Sequence, residues 1–210
     1  MIKILIADDH AIVREGLKQI VGETSDMLVA GEASNGQQVF ELVRKGDWDV
    51  VLLDIAMPGR GGMDTLKELK IEKPELPVLV LSMYPEEQYA VRALKAGAAG
   101  YLTKESAPEE LISAIRKVSD GGKYVSPSLA EKLAIHLERD KEKAVHEILS
   151  DREYQVMLMI ASGMSVKEIA DKLSLSVKTI STNRMRIMNK MGTKNNAEII
   201  HYAIKQGLVD

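Results

Sequence analysis

The sequence predicts two domains: an α/β doubly wound domain with a five-stranded parallel sheet, and a smaller all-α domain of four helices. Over the first 120 residues, short apolar runs alternate with helix-length segments. Near-continuous apolar runs are typical of strands buried on both faces of a parallel sheet, and strict alternation of strand and helix favours that class of fold. The last 63 residues contain helical patterns only, each preceded by an N-capping residue.

The apolar runs define the strands of the first domain, and the segments between them define its helices. The strands are expected at 3–8, 28–33, 50–54, 78–82 and 99–102. The helices are expected at 12–22, 36–46, 63–72, 86–96 and 108–120. Because a helix joins each strand to the next, the strands should be parallel, and their carboxyl ends should share one edge of the sheet. Ligands bind at that edge in folds of this class.

Capping residues divide the end of the chain into four helices. The pairs Ser150/Glu153, Ser165/Glu168 and Asn195/Glu198 each have the spacing of a capping box. Ser176 caps a fourth helix without a glutamate. The helices are expected at 151–162, 166–173, 177–191 and 196–206. A three-residue turn joins the second helix to the third, which predicts a helix-turn-helix unit.

Composition and charge support this division. We expect a first domain at 1–121, a partly helical linker at 122–147 and a second domain at 148–210. From Ile148 onward, nine Lys/Arg face six Asp/Glu, a net charge of +3, whereas the remainder carries 19 basic and 25 acidic residues. Only the basic end is therefore suited to nucleic acid.

The composition also excludes several classes of site. The chain has no Cys, which rules out disulfides, thiolate zinc sites and cysteine nucleophiles. No apolar run approaches 18 residues, and Met1 leads directly into the first strand. We therefore expect a cytoplasmic protein without a membrane partner.

Polar side chains follow four of the apolar runs, where the strands end. They are Asp8, Asp9, Asp54, Ser82 and Lys104. Three neighbouring carboxylates repel one another unless a cation joins them, and Mg²⁺ prefers such oxygen ligands. One carboxylate could then attack phosphorus, while Lys104 and Ser82 hold phosphoryl oxygens. Each residue alone would be a helix cap or a solvated charge, but the set indicates a phosphoryl site.

The motifs around these residues resemble the receiver domain of bacterial two-component response regulators. They are Asp8-Asp9, the stretch from Leu53 to Gly59, Leu81-Ser82, and Gly100-Tyr101-Leu102-Thr103-Lys104. The resemblance implies a flavodoxin-like sheet of order 2-1-3-4-5 and a phosphoacceptor at Asp54. It also implies that Asp8, Asp9, Asp54 and the carbonyl of Ala56 hold Mg²⁺. Ser82 and Tyr101 match the switch pair of that family, and Lys104 matches its phosphate-contacting lysine.

The segment 177–191 has the character of a DNA-recognition helix. It carries four basic residues and no acidic one, as suits a helix lying between phosphates in a major groove. A basic surface helix without a ligand is the alternative. Motifs from Leu149 to Met191 resemble the LuxR-type domain of NarL/FixJ response regulators. By position, the resemblance assigns a DNA-facing role to Lys178, Thr179, Ser181, Thr182 and Met185. The basic side chains of Arg186 and Lys190 are further candidates for phosphate contacts.

These features together predict a phosphorylation-activated, DNA-binding transcriptional regulator of a two-component system. Its expected partners are a sensor histidine kinase, double-stranded promoter DNA and a second copy of the chain, with RNA polymerase as a further candidate. The dimer could use the apolar stripe of Ile199, Ile200, Ala203 and Ile204, or that stripe could simply close the core. The protein should accept a phosphoryl group stoichiometrically and not act as an enzyme. The alternative is an Asp-nucleophile phosphotransferase, or a phosphorelay module without a DNA role.

Overall fold

The computed structural model describes residues 1–57, 61–106, 108–131 and 144–209. The chain divides into two compact units, Met1–Leu133 and Ala134–Asp210. The first unit contains the sheet, and the second contains the helix-turn-helix. This division agrees with the two fold classes that the sequence predicts.

The first unit is a five-stranded parallel sheet in the order β2-β1-β3-β4-β5. Its strands are β1 (Ile2–Ala7), β2 (Met27–Ala33), β3 (Val50–Asp54), β4 (Val78–Ser82) and β5 (Gly100–Thr103). Its helices are α1 (Ala11–Gly22), α2 (Gly36–Lys45), α3 (Gly62–Glu72), α4 (Glu86–Lys95) and α5 (Pro108–Ser119). The expected strand order and flavodoxin-like topology are confirmed.

Burial of the central strands explains why the sequence folds in this order. Every residue of β3 and β4 is buried, so these apolar runs are covered on both faces by helices. On one face, Ile4, Leu52 and Leu79 pack against Ala114 and Ile115 of α5. The polar residues that end these strands are therefore carried on the most deeply buried strands of the sheet.

The described start of the expected linker packs against the first unit. Tyr124 forms a parallel bridge with Gly100 at the edge of β5. Ser126 Oγ donates to Glu86 Oε2 at 2.8 Å and accepts from the backbone N–H of Leu129 at 3.0 Å. The Leu129 side chain is buried. The helical character expected for the linker is present at residues 127–131, and residues 132–143 lie outside the described part.

The second unit is built around one buried helix. A 3₁₀ turn (Val145–Ile148) precedes α6 (Asp151–Ala161), α7 (Val166–Lys172), α8 (Val177–Met191) and α9 (Asn196–Lys205). Both α8 and α9 pack on α6. Complete capping boxes start α6 and α7 at Ser150 and Ser165, as the sequence predicts. Helix α8 ends at Gly192, whose φ of 68° is left-handed.

Gly62 provides a stability test of the loop beside the polar edge of the sheet. A Cβ at Gly62 would lie 2.2 Å from the backbone oxygen of Asp54. Gly62→Ala should therefore destabilise the protein by about 1–3 kcal/mol through forced backbone movement. A Cβ at the helical Gly16 meets nothing within 4 Å, so Gly16→Ala should stabilise it by about 0.5–1 kcal/mol. Urea denaturation measures both; equal stability of the Gly62 variant and the wild type would contradict the steric argument.

Candidate functional site

The sheet brings the predicted phosphoryl-site residues together at its carboxyl edge. Asp54 ends β3, and Asp8 directly follows the neighbouring β1. Lys104 follows β5, and its Nζ lies 2.7 Å from Asp54 Oδ2 and 2.5 Å from Asp8 Oδ2. The Asp8 and Asp54 side chains are almost completely buried. A lysine ammonium thus joins two buried carboxylates that come from different strands.

The pKa values at this centre reflect burial opposed by ion pairing. Burial raises the pKa of the Asp54 carboxyl above its usual value, and Lys104 and the Ala56 N–H only partly offset this effect. Burial also disfavours the charged form of Lys104, but the neighbouring Asp54 and Asp8 outweigh it and raise the Lys104 pKa. The two carboxylates therefore favour the charged form of Lys104, whereas burial disfavours the ionised form of Asp54.

The acidic cluster has the composition of a divalent-metal site. Ligand atoms of Asp8, Asp9, His10 and Asp54 all lie within 4.8 Å of one another. Asp9 Oδ1 is buried and accepts no hydrogen bond from the described residues; His10 Nδ1 lies 3.0 Å from it. The Ala56 N–H donates to Asp54 Oδ1 at 2.8 Å, which places this peptide beside the cluster. Three neighbouring carboxylates, one of which has a buried oxygen that accepts no hydrogen bond from the described residues, fit a hard cation.

His10 is a member of the cluster that sequence reasoning missed. Its position directly after Asp8-Asp9 was the available signal. Its backbone N–H donates to Asp8 Oδ1 at 2.8 Å, and its side chain is 62% exposed. The imidazole therefore lies on the solvent-exposed side of the cluster, while the backbone N–H of His10 orients the Asp8 carboxylate.

The expected switch pair converges on one residue, Tyr84, which the sequence did not single out. The Tyr84 N–H donates to Ser82 Oγ at 3.0 Å, and the Tyr101 hydroxyl donates to the Tyr84 carbonyl at 2.8 Å. Tyr101 is completely buried, and burial raises its pKa. Tyr101 therefore points into the interior of the first unit in this structure.

In the second unit, α8 turns most of the predicted DNA-facing residues toward solvent. Lys178, Thr179, Ser181, Met185 and Arg186 are exposed. Among the described residues, neither Lys178 nor Arg186 has a side-chain hydrogen bond or ion pair, so both cations are available to a ligand. The opposite side of α8 contributes Ile180, Asn183 and Ile187 to the core.

Thr182 has a mixed position on this helix. Its side chain is half-buried, and its hydroxyl donates to the Lys178 carbonyl at 2.9 Å. Such an i−4 bond occupies the hydroxyl proton within the helix. An acceptor function and the methyl group remain for contact with a base edge.

Two of the basic residues of α8 are hydrogen-bonded to other residues of the second unit. Lys190 Nζ donates to Glu153 Oε2 at 2.6 Å, and the same oxygen accepts the Ser150 N–H that starts α6. Burial would raise the pKa of Glu153, but these hydrogen bonds outweigh it and lower the pKa. Arg184 Nε donates to Asn196 Oδ1 at 2.6 Å. Lys190, predicted as a phosphate contact, thus ties the end of α8 to the start of α6.

The apolar stripe of α9 is divided between core and surface. Ile199 and Ala203 are completely buried, so they close the core of the second unit. Ile200 is half-buried and Ile204 is 52% exposed. Part of the stripe therefore closes the core, and Ile204 remains exposed on the surface.

Among the described residues, no helix is long and apolar enough to cross a membrane.

Two family models together match most of the chain. Residues 4–116 match the response regulator receiver domain, and residues 147–203 match the bacterial regulatory proteins of the luxR family. The first match contains the whole acidic cluster with Ser82, Tyr101 and Lys104. The second contains the helix-turn-helix of α7 and α8.

Characterised relatives are similar over the full chain. The response regulator UvrY of Escherichia coli K12 is 37% identical over 209 residues, covering 99% of this chain and 96% of UvrY. The response regulator GacA of Pseudomonas aeruginosa is 38% identical over 211 residues, covering 100% of this chain and 99% of GacA. Both domains are therefore shared with these proteins in the same order.

A solved structure shows the same similarity. RcsB of Salmonella enterica serovar Typhimurium, bound to promoter rprA in the presence of the phosphomimetic BeF₃⁻, matches with a TM-score of 0.66. It is 28% identical, with complete coverage of both chains.

Removing Asp9 should separate metal binding from folding. Asp9→Ala relieves repulsion within the cluster, so the metal-free variant should unfold at the same temperature as the wild type or higher. Saturating Mg²⁺ should stabilise the wild type, by about 2.7 kcal/mol at a hundredfold excess over its Kd, and leave Asp9→Ala unchanged. The exposed Asp47 serves as control, since Asp47→Ala should keep the response. A metal-free Asp9→Ala protein that melts much lower would assign Asp9 a structural role.

Replacing Lys190 and Lys178 one at a time should distinguish a lysine that is paired with a buried carboxylate from one that is not. Lys190→Met leaves Glu153 buried without its ammonium partner and should lower the free energy of unfolding by about 1–2 kcal/mol. Lys178→Met removes the same charge from a solvent-exposed position and should change it by less than about 0.5 kcal/mol. Denaturant titration of the full chain measures both values. Equal losses for the two variants would show that the Glu153 contact has no stabilising role.

Proposed function

The chain belongs to the two-component response regulators that join a receiver domain to a LuxR-type domain, and from this membership we propose how its two sites work together. We infer that the protein is a cytoplasmic transcriptional regulator whose DNA binding is activated by phosphorylation of Asp54. The observation that carries this proposal is the Lys104–Asp54–Asp8 centre in the same chain as the exposed basic face of α8.

Asp54 is the proposed phosphoacceptor. One oxygen of its carboxylate attacks the phosphorus of a phosphohistidine on a sensor histidine kinase, or of a small phosphodonor. The P–N or P–O bond to the donor breaks, and an acyl phosphate forms on Asp54. Each chain accepts one phosphoryl group, so the reaction is stoichiometric and the protein is not an enzyme.

Asp8, Asp9, Asp54 and the Ala56 carbonyl would hold Mg²⁺ beside the acceptor. The bound cation would offset the negative charge of the incoming phosphoryl group. Lys104 now bridges Asp8 and Asp54. In the phosphorylated state its ammonium would pair with a phosphoryl oxygen, which frees the Asp8 carboxylate for the cation. The centre would thus exchange one arrangement of charges for another without leaving a buried charge unpaired.

Ser82 and Tyr101 would transmit this exchange through Tyr84. A phosphoryl oxygen on Asp54 offers the Ser82 hydroxyl proton a charged acceptor. Movement of Ser82 toward that oxygen would lengthen the contact that its Oγ accepts from the Tyr84 N–H. Tyr101, already buried, would then keep or release the Tyr84 carbonyl as the β4–α4 connection moves. A tens-fold bias between the two states of this element requires about 2 kcal/mol.

Helix α8 is the proposed DNA-recognition helix. Lys178 and Arg186 would contact phosphates, while Thr179, Ser181, Thr182 and Met185 face base edges. Lys190 would contribute to DNA binding from the end of α8, where its ammonium pairs with Glu153. One helix-turn-helix covers little DNA surface, so we expect a homodimer on paired half-sites about one helical turn apart. The exposed Ile204 is available to that dimer, and RNA polymerase is a candidate partner on the promoter.

A phosphotransferase or a phosphorelay module would need other features. An Asp-nucleophile enzyme needs a second acid/base carboxylate and a cap over its substrate, and the described residues of the receiver-length first unit contain no insertion of cap size. A relay module has no use for an exposed basic recognition helix. The regulator is therefore the function that accounts for both units.

Phosphorylation and DNA binding can be tested on the full chain. Acetyl phosphate with Mg²⁺ should add one phosphoryl group to the wild type and none to Asp54→Asn, measured by intact mass. Phosphorylated protein should retard genomic promoter fragments, selected with the same protein, at lower concentration than unphosphorylated protein. Lys178→Met should reduce this retardation while Asp54 remains phosphorylated.

Two outcomes would contradict the proposal. A phosphoryl group still added in full to Asp54→Asn would exclude Asp54 as the acceptor. A phosphorylated wild type that retards no selected fragment, even at low salt, where phosphate contacts are strongest, would favour the phosphorelay alternative.

A further inference from the structure

Arg14 holds the turn that carries the two N-terminal acidic residues of the cluster. Its Nη1 donates to the backbone carbonyl of Asp8 at 2.7 Å, and its Nε donates to Glu32 Oε2 at 3.1 Å. The Arg14 side chain is only 18% exposed. Its own backbone N–H donates to the His10 carbonyl at 3.2 Å. The main chain and the side chain of Arg14 therefore both donate hydrogen bonds to carbonyls of the short turn from Asp8 to His10.

Asp8 and Asp9 differ in how their carboxylates are oriented. The Asp8 carboxylate has two contacts: Oδ1 accepts a hydrogen bond from the His10 N–H, and Oδ2 forms an ion pair with Lys104 Nζ. Asp9 Oδ1 accepts no hydrogen bond from the described residues. Its ion-pair neighbour is the exposed imidazole of His10, whose Nδ1 lies 3.0 Å from Oδ1. The backbone therefore has the larger part in setting the direction of the Asp9 side chain.

The carbonyl that Arg14 binds belongs to the peptide unit that joins Asp8 to Asp9. Because a peptide unit is planar, fixing the Asp8 oxygen fixes the plane from which the Asp9 Cα departs. Rotation of this plane would move the Asp9 carboxylate away from Asp54. We propose that Arg14 is a positioning residue for the metal site: through the Asp8 carbonyl, it sets the direction in which Asp9 presents its carboxylate to a divalent cation. This inference rests on the metal role assigned above to Asp9.

The opposite end of the guanidinium is anchored on the edge strand. Glu32 lies on β2, where it pairs with Ile6 of β1, and it also accepts from Lys18 Nζ at 2.8 Å. The Lys18 hydrogen bond lowers the pKa of Glu32, burial opposes it, and Arg14 adds to the lowering. Arg14 therefore spans from the sheet edge to the acidic turn with both ends held. A planar guanidinium can donate in two fixed directions at once, which a lysine ammonium on a flexible stem cannot reproduce.

Positioning and charge make opposite predictions for this residue. If Arg14 acted on the cation only through its positive charge, its removal would strengthen metal binding, since like charges repel. If Arg14 positions Asp9, its removal weakens metal binding although a repulsive charge is lost. The sign of the change in affinity therefore decides between the two.

Direct binding of Mn²⁺, followed by the electron paramagnetic resonance signal of the free ion, measures this sign without a phosphodonor. Arg14→Met should bind Mn²⁺ about tenfold more weakly than the wild type, as is usual when a residue supporting a metal ligand is lost. Lys18→Met removes the same charge from the same helix and from the same Glu32, but it does not touch the acidic turn. Its Mn²⁺ affinity should equal that of the wild type.

Phosphorylation by acetyl phosphate supplies a second readout. Arg14→Met should need a higher Mg²⁺ concentration for half-maximal rate, in proportion to its weaker Mn²⁺ binding. The rate at saturating Mg²⁺ should remain near that of the wild type. A general loss of structure would instead lower the rate at every Mg²⁺ concentration.

Mn²⁺ affinity in Arg14→Met that equals or exceeds the wild-type value would overturn the proposal. Should Arg14→Met fail to fold, Arg14→Lys and Glu32→Gln take its place. Each weakens the grip on the turn while leaving a polar side chain, and unchanged affinity in both would refute the positioning role. A wild type that binds no Mn²⁺ would refute this inference together with the metal site. A wild type that binds Mn²⁺ but accepts no phosphoryl group would refute the proposed function alone.

Discussion

The ion pair between Lys104 and the two buried carboxylates of Asp8 and Asp54 is the interaction on which the rest of the first unit depends. Ionised groups at this depth are tolerated only when they are paired. The three residues come from three different strand ends, so the pair can form only when β1, β3 and β5 hold their places in the sheet. The buried apolar residues of these strands hold the strand ends in place, and the acidic edge is where the proposed chemistry occurs.

In the proposed function, the same ion pair makes the centre responsive to a cation and to phosphorylation of Asp54. Burial raises the pKa of Asp54, so ionisation of this carboxyl group costs free energy. A cation beside Asp54, or a phosphoryl group on it, would change that free energy. Tyr84 donates its N–H to Ser82 Oγ and accepts a hydrogen bond from the Tyr101 hydroxyl, so both residues of the expected switch pair contact the connection between β4 and α4. From there Glu86 contacts Ser126 at the beginning of the segment that leads to the second unit.

The second unit solves a different problem with one helix. Helix α8 must present cations to a ligand and also be held in a small core. Its buried residues Ile180 and Ile187 and the Lys190–Glu153 pair attach it to α6, while Lys178 and Arg186 stay exposed. Basic residues on the same helix therefore have different roles, which are set by what lies opposite each of them.

The sequence by itself determined the element types, the two fold classes and most of the residues that meet at the acidic cluster, because apolar periodicity and strand-end polar residues are local signals. It did not determine which ammonium would be free and which paired, that Tyr101 would lie inside, that His10 and Tyr84 would lie beside the site, or that Arg14 would bind the Asp8 carbonyl. Those facts depend on contacts between residues distant in the chain, such as Lys190 with Glu153 and Arg14 with Glu32. Only the tertiary structure, which fixes what packs beside each side chain, could decide them.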